Sequence, residues 1–341
     1  MEPVRFGLVG YGFGGRYFHA PLLAGAAECE LVAVVTSSDE RRALVAREHP
    51  TVATVGSLQD LVDAGVEAVA ISTPADTHSS VTDEALGLGL AVACDKPFAL
   101  DAAAARTSLA LAERHGLALS PYQNRRWDSE FLTVRRLVDE GVLGQVRRFE
   151  SRFERYAPDD GPGAAGAGVL LDFCSHLVDQ ALVLLGPVTS VHAEWRTRES
   201  GLDDDVFLAL RHAGGAISHL WGSWGQHAPG PRFRVTGTDA SFVAPAADSQ
   251  EEVLLTGASP AGTDAWGREP ASAAGRLHRA GVTTTVELER GAWDVYYPAF
   301  ARAVRGEGPV PVDPADAVAT AVVLDAARRS ATSGTSVEVV A

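Results

Sequence analysis

The chain has 341 residues, which at about 150 residues per domain suggests two domains. Hydrophobic residues make up 46% of the chain and charged residues 21%, the proportions of a globular protein with proper cores. The 44 acidic and 29 basic residues give a net charge of −15. This charge argues against nucleic acid or an anionic membrane surface as the main partner. It is compatible with an anionic small ligand in a locally basic pocket.

The chain's three cysteines, Cys29, Cys94 and Cys174, are scattered and lack the spacing of metal ligands. We therefore expect reduced thiols, and no metal site, in a cytoplasmic protein. The first residues, MEPVRFGLVG, lack a basic region followed by a long apolar run, so we expect no signal peptide. The absence of a stretch of about 20 apolar residues predicts no membrane span.

Strand-like and helix-like segments alternate through the first third of the chain. The expected strands are 4–10, 31–36, 66–73, 90–96 and 117–122, and the expected helices are 40–48, 57–65, 78–89 and 101–116. Continuous apolar strands separated by helices are typical of a parallel sheet that is covered on both faces. The pattern predicts an α/β dinucleotide-binding domain of the Rossmann type over residues 1–122.

After Tyr122 the pattern changes to successive strands of alternating polarity. The expected strands are 146–156, 190–200, 205–214, 216–225, 232–243 and 283–289, and the expected helices are 129–141, 169–185, 299–304 and 315–330. The stretch 244–281 is rich in Ala, Gly, Ser and Pro, which predicts a loop. Successive strands favour an antiparallel sheet, so we expect an α+β domain over 123–341. Its last helix either stays in that domain or packs back on the first.

The stretch GLVGYGFGGRYF places Gly10, Gly12 and Gly15 in a G-x-G-x-x-G spacing directly after the first strand. Gly10 would allow a tight turn, Gly12 a close approach of backbone to pyrophosphate, and Gly15 close packing of the next helix. The phosphates would lie at the N-terminus of that helix. Because the motif follows a strand and opens a βαβ pattern, it predicts a dinucleotide site that also includes Phe13 and Gly14.

The end of the second strand bears on the choice between NAD and NADP. NAD sites usually have an Asp or Glu there to hold the ribose 2′-hydroxyl, whereas this chain has Ser37 and Ser38, followed by Arg41 and Arg42. Small hydroxyls leave room for a 2′-phosphate, and an arginine can pair with it. We therefore expect NADP(H) to be preferred over NAD(H), with Ser37, Ser38 and Arg42 in the pocket. The alternative is that the arginines are solvated and Asp39 holds the ribose of NAD.

Two further strand ends carry residues suited to the same cofactor, because open α/β sheets bind ligands at the carboxyl ends of their strands. Thr73, Pro74 and His78 follow the third expected strand, and Lys96 and Pro97 follow the fourth. We expect these residues to line the nicotinamide side, where Lys96 is placed to transfer a proton. The alternatives are that His78 simply begins the next helix and that Lys96 is an ordinary surface lysine.

The stretch LLDFCSHLVDQ lies in the expected helix 169–185 and places Asp172 and His176 four residues apart. At helical spacing these two side chains share one face. Such pairs are common on helices, so the spacing alone does not separate a chemical pair from two incidental polar residues.

Four motifs, taken in chain order, carry a resemblance to a known family. They are Gly10-x-Gly12-x-x-Gly15, Thr73-Pro74 with His78, Asp95-Lys96-Pro97 and Asp172-x-x-x-His176. The set resembles the Gfo/Idh/MocA oxidoreductases, whose third motif is usually Glu-Lys-Pro, and the stretch 123–156 is similar to their NADP-dependent scyllo-inositol dehydrogenase subgroup. The resemblance implies an N-terminal Rossmann sheet and a C-terminal α+β domain with a large open sheet. It also implies a homodimer or homotetramer formed through that open sheet.

The resemblance further implies hydride transfer between nicotinamide and a ring carbon of a sugar or cyclitol. It makes Lys96, Asp172 and His176 the catalytic residues, with the helix of the last two facing the nicotinamide across the domain crevice. A histidine is the natural acid/base near neutral pH, Lys96 would hydrogen-bond the same oxygen, and Asp172 would hold a neighbouring hydroxyl or tune His176. The alternative assignment makes Lys96 the principal acid/base.

The residues Asn124, Arg125, Arg126 and Trp127 follow the last Rossmann strand, and the resemblance implies that they lie by the substrate. An arginine there would bind hydroxyls or a carboxylate, and Trp127 would stack on a sugar face. The alternative is an interdomain salt bridge beside a packed tryptophan. The stretch 157–172 is short and rich in Gly and Ala, where the subgroup has a longer, basic stretch. This difference indicates a more open pocket or a different substrate.

The expected function is an NADP(H)-preferring inositol or sugar dehydrogenase that acts on a small polyol, cyclitol or sugar. One alternative is a non-catalytic regulator that senses a nucleotide with the same fold. Retention of Lys96, Asp172 and His176 together favours the enzyme. Another alternative is elimination or glycoside cleavage through transient oxidation, which would begin with the same residues.

Overall fold

The computed structural model describes residues 2–157, 168–261 and 265–340. The chain forms two compact units. The first contains Met1–Gln123, Gln250–Trp266 and Ala292–Ala317, and the second contains Asn124–Ser249, Gly267–Gly291 and Val318–Ala341. Two segments from the second half of the chain therefore belong to the first unit, and each unit is described by itself below.

A six-stranded parallel sheet lies at the centre of the first unit. Its strands are β1 Val4–Val9, β2 Cys29–Val35, β3 Ala53–Val55, β4 Ala68–Ile71, β5 Ala91–Cys94 and β6 Leu119–Pro121. Their order is β3-β2-β1-β4-β5-β6, which confirms the predicted Rossmann sheet. The strand order reverses between β1 and β4, the switch point at which such sheets bind ligands. All side chains of β4 and β5 are buried, as a sheet covered on both faces requires.

Helices connect these strands and continue into the second unit. In chain order the α-helices of the described residues are α1 Ala20–Ala24, α2 Asp39–Glu48, α3 Leu58–Asp63, α4 His78–Gly87, α5 Ala102–His115, α6 Ser129–Asp139, α7 Val169–Asp172, α8 Cys174–Leu185, α9 Gln250–Leu255, α10 Tyr296–Val304 and α11 Pro314–Ser333. Side-chain caps begin several of them: Ser38 accepts from the Arg41 amide, and Asp101 accepts from the Ala104 amide. These caps satisfy amide groups that the first helical turn leaves unpaired.

A nine-stranded sheet dominates the second unit. Its strands are β7 Val146–Glu154, β8 Val188–Thr197, β9 Asp203–His212, β10 Ile217–Ser223, β11 Phe233–Gly237, β12 Ser241–Ala244, β13 Gly275–Arg279, β14 Val282–Val286 and β15 Val337–Glu338. Their order is β14-β13-β12-β11-β7-β10-β9-β8-β15. The pair β7–β10 is parallel and the other pairs are antiparallel, so the expected large, mostly antiparallel sheet is confirmed.

Three sequence predictions about strands and loops were wrong. The expected single strand 232–243 is a hairpin of β11 and β12, with a turn at 238–240. The expected loop 244–281 contains α9 and the strand β13. The alternation of polar and apolar residues in β13 is short, and β13 pairs with β14 in the sheet. The edge strand β3 was missed because three residues carry too little apolar pattern to be recognised.

The expected helix 169–185 is confirmed in its extent, with one interruption: α7 and α8 meet at Phe173, which keeps α-helical dihedral angles (φ −91°, ψ −45°). The ring of Phe173 stacks on Phe153 with centroids 4.1 Å apart, and the helix junction packs closely on β10 at Gly222. A Cβ atom at Gly222 would lie 2.6 Å from a methyl carbon of Val169 and 3.2 Å from the sulfur of Cys174. Packing against the sheet thus favours the break over a continuous helix. In the part of the chain that the structure describes, no helix has the length and apolar character that crossing a bilayer would need.

We predict that Gly222→Ala destabilises the protein by about 1–3 kcal/mol, because the added methyl must displace the α7–α8 junction. The matched control is Gly87→Ala, at an exposed helical position where a Cβ atom meets no neighbour within 4 Å. We expect the control to be neutral or stabilising by up to about 1 kcal/mol. Urea denaturation measures both, and a Gly222→Ala protein as stable as the wild type would contradict the packing argument.

Candidate functional site in two parts

The glycine loop joins β1 to a helical turn, Gly15–His19, and it has no room for side chains at two points. Gly10 has φ +97°, and a Cβ atom there would lie 2.4 Å from the carbonyl oxygen of Ser72. A Cβ atom at Gly15 would lie 2.1 Å from the carbonyl oxygen of Gly10. The tight turn and the close packing predicted for these two positions are therefore both present, and only glycine can provide them.

The other loop residues differ in their surroundings. At Gly12 the nearest described atom to an added Cβ would be Nη2 of Arg41, at 3.9 Å, so the backbone here lies open beside a guanidinium group. Phe13 is 59% exposed and its ring packs edge-on against Phe18. Gly14 faces inward, where an added Cβ would lie 2.5 Å from the hydroxyl of Ser72. An open backbone ahead of a helical turn is the arrangement that binds a pyrophosphate.

The residues after β2 divide into capping residues and exposed residues. Ser38 is the N-cap of α2, and its hydroxyl accepts from the Arg41 amide at 3.3 Å, while Ser37 is exposed. Arg42 has its Nε 3.8 Å from a carboxylate oxygen of Asp39. Arg41, rather than Arg42, therefore carries the guanidinium beside the glycine loop. The sequence named both arginines but placed Arg42 in the pocket.

A partly buried ionic cluster fixes α2 against the glycine loop. Arg16 donates two hydrogen bonds to Glu48, at 2.9 Å and 2.6 Å, and the Tyr11 hydroxyl donates a third at 3.0 Å. Burial by itself would raise the pKa of Glu48, but the hydrogen bonds from Arg16, Arg47 and Tyr11 lower it to about 2. Glu48 is therefore a carboxylate that binds the loop to the helix. Nothing in the local sequence pattern signalled it.

The loop after β4 places one predicted cofactor residue inside the protein. His78 is 2% exposed, and its two ring nitrogens lie 2.7 Å from the carbonyl oxygen of Pro97 and 2.9 Å from that of Thr73. His78 therefore connects the ends of β4 and β5. Thr73 remains partly exposed and accepts from the Thr77 hydroxyl at 2.7 Å, and Pro74 is exposed.

Lys96 follows β5, and hydrogen bonds to the neighbouring Asp95 carboxylate hold this segment in place. The Lys96 amide donates to Oδ1 of Asp95 at 2.8 Å, and the Ser72 hydroxyl donates to Oδ2 at 2.9 Å. The Lys96–Pro97 peptide bond is cis. Burial by itself would raise the pKa of Asp95, but His19, through its charge and its hydrogen bond, and then His78 and Lys96, hold it well below its usual range. Lys96 is thus presented by an ionised, fixed aspartate.

The second unit carries Asp172 and His176 on the two sides of the helix break. Asp172 is the last residue of α7, and the His176 amide donates to the Phe173 carbonyl at 3.1 Å rather than to that of Asp172. His176 is 3% exposed. Cys174 is fully buried, and burial raises its pKa well above the usual range, so it acts as a packing residue and not as a nucleophile.

Asp203 of β9 holds the beginning of α7. Its Oδ2 accepts from the Leu170 amide at 2.5 Å, and a Cβ atom at Gly168 would lie 2.0 Å from its Oδ1. Burial raises the pKa of Asp203. The carboxyl group caps the helix that ends in Asp172. Residues 158–167, which make up most of the Gly/Ala-rich stretch that the sequence singled out, lie outside the described residues.

The predicted substrate loop forms the turn Asn124–Trp127, and its arginines make contacts within the second unit. Arg126 donates to Asp179 at 2.8 Å and 2.6 Å, and Gln180 donates to the carbonyl oxygen of Arg125 at 2.8 Å. The Asp179 and Gln180 side chains both belong to α8. The turn and the His176 helix are therefore held together by buried charge-assisted hydrogen bonds. Asn124 is buried and Trp127 is partly exposed.

An aromatic and cationic cluster near His176 was missed at the sequence level. The Phe153 ring centroid lies 6.4 Å from that of His176. The guanidinium carbons of Arg125 and Arg155 lie 4.4 Å and 5.0 Å from the Phe153 ring centroid. Phe173 completes the cluster by stacking on Phe153. The only local signal is the alternation of β7, which gives no reason to single out Phe153.

The residues present in the first unit fit a dinucleotide. The glycine loop is a cradle that side chains would fill, it precedes a helical turn, and Arg41 lies beside its open backbone. Among the described residues, no group of three or more His, Cys, Asp and Glu side chains is arranged to hold a metal ion. This fold and loop define a dinucleotide-binding protein, in which Lys96 follows the end of β5.

Comparison with known proteins identifies the family. Residues 4–123 match the oxidoreductase family model with the NAD-binding Rossmann fold, and residues 131–243 match the GFO/IDH/MocA C-terminal domain. The chain belongs to the Gfo/Idh/MocA oxidoreductase family, as the resemblance implied.

Its relatives include two curated proteins and a solved structure of similar length. The uncharacterized oxidoreductase YdgJ of Escherichia coli is 37% identical over 334 residues, 93% of each chain. The scyllo-inositol 2-dehydrogenase (NADP(+)) IolW of Bacillus subtilis is 30% identical over 342 residues, 97% of this chain and 94% of IolW. The putative oxidoreductase YPO2259 of Yersinia pestis has a TM-score of 0.92 at 30% identity, covering 100% of this chain and 98% of that one.

The Glu48 cluster predicts a specific loss of stability in acid. The folded-state pKa of Glu48, about 2, lies below its ordinary value of 4.5. Its contribution is therefore complete above about pH 4.5 and is lost as the pH falls toward 2. We expect Glu48→Gln to cost roughly 1–3 kcal/mol at pH 7 and progressively less below pH 4.5.

The measurement is urea denaturation of wild type and variant at pH 7 and pH 3. The control is Glu140→Gln, which removes an exposed partner of Arg136 on α6 and should change stability by less than about 0.5 kcal/mol. A Glu48→Gln deficit that is equal at both pH values would show that the carboxylate charge is not what binds the loop to α2.

Proposed function

We propose that the protein is an NADP(H)-preferring dehydrogenase that interconverts a secondary alcohol and a ketone on a cyclitol or sugar. The observation that carries the proposal is that the first unit combines the tightly packed glycine loop after β1 with Lys96 at the carboxyl end of β5, two strands away in the same sheet. The family membership supports the reaction class, and the name of IolW supports the substrate class and cofactor. In the cell the enzyme would work in the cytoplasm and could run as a ketone reductase.

The cofactor would be held by the glycine loop and by the ends of β2, β4 and β5. We propose that Gly10, Gly12, Phe13, Gly14 and Gly15 bind the pyrophosphate through their backbone. The side chains and backbone that would complete the site are Ser37, Ser38, Arg41, Arg42, Thr73, Pro74, Lys96 and Pro97. His78 supports this site from inside, because both of its ring nitrogens contact carbonyl oxygens. The bound nicotinamide would supply the hydride acceptor or donor.

We propose Arg41 as the main partner of a 2′-phosphate. Its guanidinium lies beside Gly12, whereas Arg42 is turned toward Asp39. Asp39 is exposed and its carboxylate lies 3.8 Å from Arg42, so the alternative in which Asp39 holds the ribose of NAD is decided by the nucleotide titration below. A guanidinium pairs bidentately with phosphate oxygens, which provides both charge and geometry.

The catalytic residues that we propose are Lys96, Asp172 and His176. His176 would remove the hydroxyl proton in alcohol oxidation and return it in ketone reduction. Lys96 would hydrogen-bond the same oxygen and stabilise its developing negative charge. Asp172, at the end of α7, would hold a neighbouring hydroxyl and orient it. The partly exposed turn that carries Trp127, with Asn124, Arg125 and Arg126, would border the substrate, and Arg126 would act mainly by anchoring α8.

We also propose that the nine-stranded sheet mediates self-association as a homodimer or homotetramer. Its strands β9 and β10 carry three adjacent, partly exposed rings, Phe207, His219 and Trp221. Arg152 lies over the Trp221 ring, with 3.9 Å between its guanidinium carbon and the ring centroid. Clustered aromatic and arginine side chains of this kind are enriched at protein interfaces.

The cofactor assignment predicts that NADPH binds more tightly than NADH and that Arg41→Ala removes the difference. Losing hydrogen bonds between charged groups should weaken NADPH binding by about 10- to 100-fold and leave NADH binding unchanged. Arg42→Ala is the matched control, and we expect a smaller effect from it. Fluorescence titration with both nucleotides measures each dissociation constant. Equal or tighter NADH binding by the wild type would rule out the 2′-phosphate pocket.

The catalytic assignment predicts that His176→Asn lowers kcat by about 10²- to 10⁴-fold with the dissociation constant of NADPH unchanged. The matched control is His212→Asn in the same unit. His212 is buried, with its ring nitrogens on the Gly186 carbonyl and the Ser218 hydroxyl, so its loss should reduce stability and leave kcat within a few-fold of wild type. The assay follows NADP(H) absorbance with inositols, inososes and sugars. If His176→Asn turns over as fast as wild type, Lys96 is the acid/base.

A further inference from the structure

We propose that His19 is a positioning residue that ties the glycine loop to the Lys96 segment, so that nucleotide binding on the loop sets the position of Lys96. The catalytic importance of Lys96 rests on the proposed function. The coupling between the glycine loop and the Lys96 segment does not, because every contact involved lies within the first unit.

His19 is the last residue of the helical turn that follows the glycine loop, and none of its side chain is exposed. Its Nδ1 hydrogen-bonds with the Tyr297 hydroxyl of α10. On its other side Nε2 lies 3.2 Å from Oδ2 of Asp95. The imidazole also packs on the Tyr122 ring, with centroids 4.4 Å apart. The ring is therefore fixed from three directions and bridges two parts of the unit.

Asp95 carries the connection to Lys96. The oxygen that faces His19 also accepts from Ser72, and the other oxygen accepts from the Lys96 amide at 2.8 Å. One carboxylate thus joins His19 to the backbone of Lys96. The buried imidazole has one hydrogen bond, from Nδ1 to Tyr297, and among the described residues its Nε2 has no other partner than the Asp95 carboxylate, at ion-pair distance. Because a buried polar nitrogen without any partner is costly, the Asp95 contact indicates a specific bridge rather than simple filling of space.

The glycine loop touches the same carboxylate directly. A Cβ atom at Gly14 would lie 2.8 Å from Oδ2 of Asp95 and 2.5 Å from the hydroxyl of Ser72. The loop backbone and the Asp95 carboxylate are therefore in van der Waals contact, with His19 beside both. A nucleotide that orders the loop must order Asp95 with it, and the Lys96 amide follows through its hydrogen bond. The groups with charge that face Asp95 are His19, His78 and Lys96.

The test uses a ligand that fills the loop but cannot reach Lys96 through a nicotinamide ring. That probe is 2′-phospho-ADP-ribose, the part of NADP without nicotinamide. Hydrogen–deuterium exchange of residues 95–99 is measured with and without a saturating concentration of the probe. In the wild type we expect the probe to slow exchange of these amides. In His19→Phe, which keeps a buried ring but loses both polar contacts, we expect no slowing although the loop amides remain protected.

Two further variants keep the test decisive if His19→Phe does not fold. His19→Gln keeps an amide donor for Asp95 and should restore the slowing. Ser120→Ala removes a buried hydrogen-bond pair with Val312 in the same unit and should leave the coupling intact despite its cost in stability. Slowing that is equal in wild type, His19→Phe and Ser120→Ala overturns the proposal, as does a wild type without slowing at saturation.

Turnover gives the second readout. We expect His19→Phe to lower kcat about 10- to 100-fold, the cost of misplacing a catalytic group by about 1 Å, with the KM for the polyol nearly unchanged and with recovery in His19→Gln. An unchanged kcat in folded His19→Phe contradicts the proposal. If the wild type turns over no polyol while the exchange coupling persists, the proposed function fails and the positioning role of His19 stands.

Discussion

The close approach of backbone segments at the ends of β1, β4 and β5 is the constraint on which the first unit depends. Gly10 lies against the Ser72 carbonyl and Gly15 lies against Gly10, at distances that exclude any Cβ atom. Gly14 meets Ser72 and the Asp95 carboxylate in the same way. The ends of β1, β4 and β5 therefore come together at the glycine loop, with the Ser72 hydroxyl and the Asp95 carboxylate packed against Gly14. This contact leaves the loop backbone open to a nucleotide and holds Asp95 where it can fix Lys96.

The arrangement of the second unit depends on a different contact, the packing of the α7–α8 junction against the sheet. Gly222 lets the α7–α8 junction lie directly on β10, Asp203 caps the start of α7, and Arg126 binds α8 through Asp179. Phe173 keeps an α-helical conformation between α7 and α8 (φ −91°, ψ −45°), so the placement of Asp172 and His176 reflects near-helical spacing together with packing on the sheet. In each unit the proposed catalytic side chains are thus presented by rigid contacts that other residues supply.

The sequence predicted most of what depends on local pattern. The apolar strands, most of the helices and the glycine spacing are readable because their causes lie within a few residues of one another. The break at Phe173 was not readable, because it comes from Gly222, which lies in another strand. His19 was missed for the same reason: its partner Tyr297 is 278 residues away in the chain. Short elements such as β3 carry too few residues for any period to be visible.

The residues predicted to bind the cofactor show a similar limit of sequence-based prediction, here for the direction of single side chains. The sequence after β2 led us to place Arg42 in the expected 2′-phosphate pocket, but two adjacent arginines differ in side-chain direction, which the sequence does not show. Arg41 lies beside Gly12 and Arg42 beside Asp39. His78, which the sequence placed at the cofactor, is buried with its ring nitrogens near two carbonyl oxygens. Side-chain direction at a helix start is decided by tertiary contacts, which the sequence alone does not display.

The central claim is that this chain oxidises a secondary alcohol of a polyol ring to a ketone, and mass analysis of the product tests it most directly. The protein is incubated with NADP⁺ and a panel of inositols and sugars, and each product is identified by mass spectrometry. The account predicts a product two hydrogen atoms lighter than one of the substrates, formed together with an equal amount of NADPH. A product lighter by one water molecule, without net NADPH, would contradict it and would point to elimination chemistry on the same scaffold.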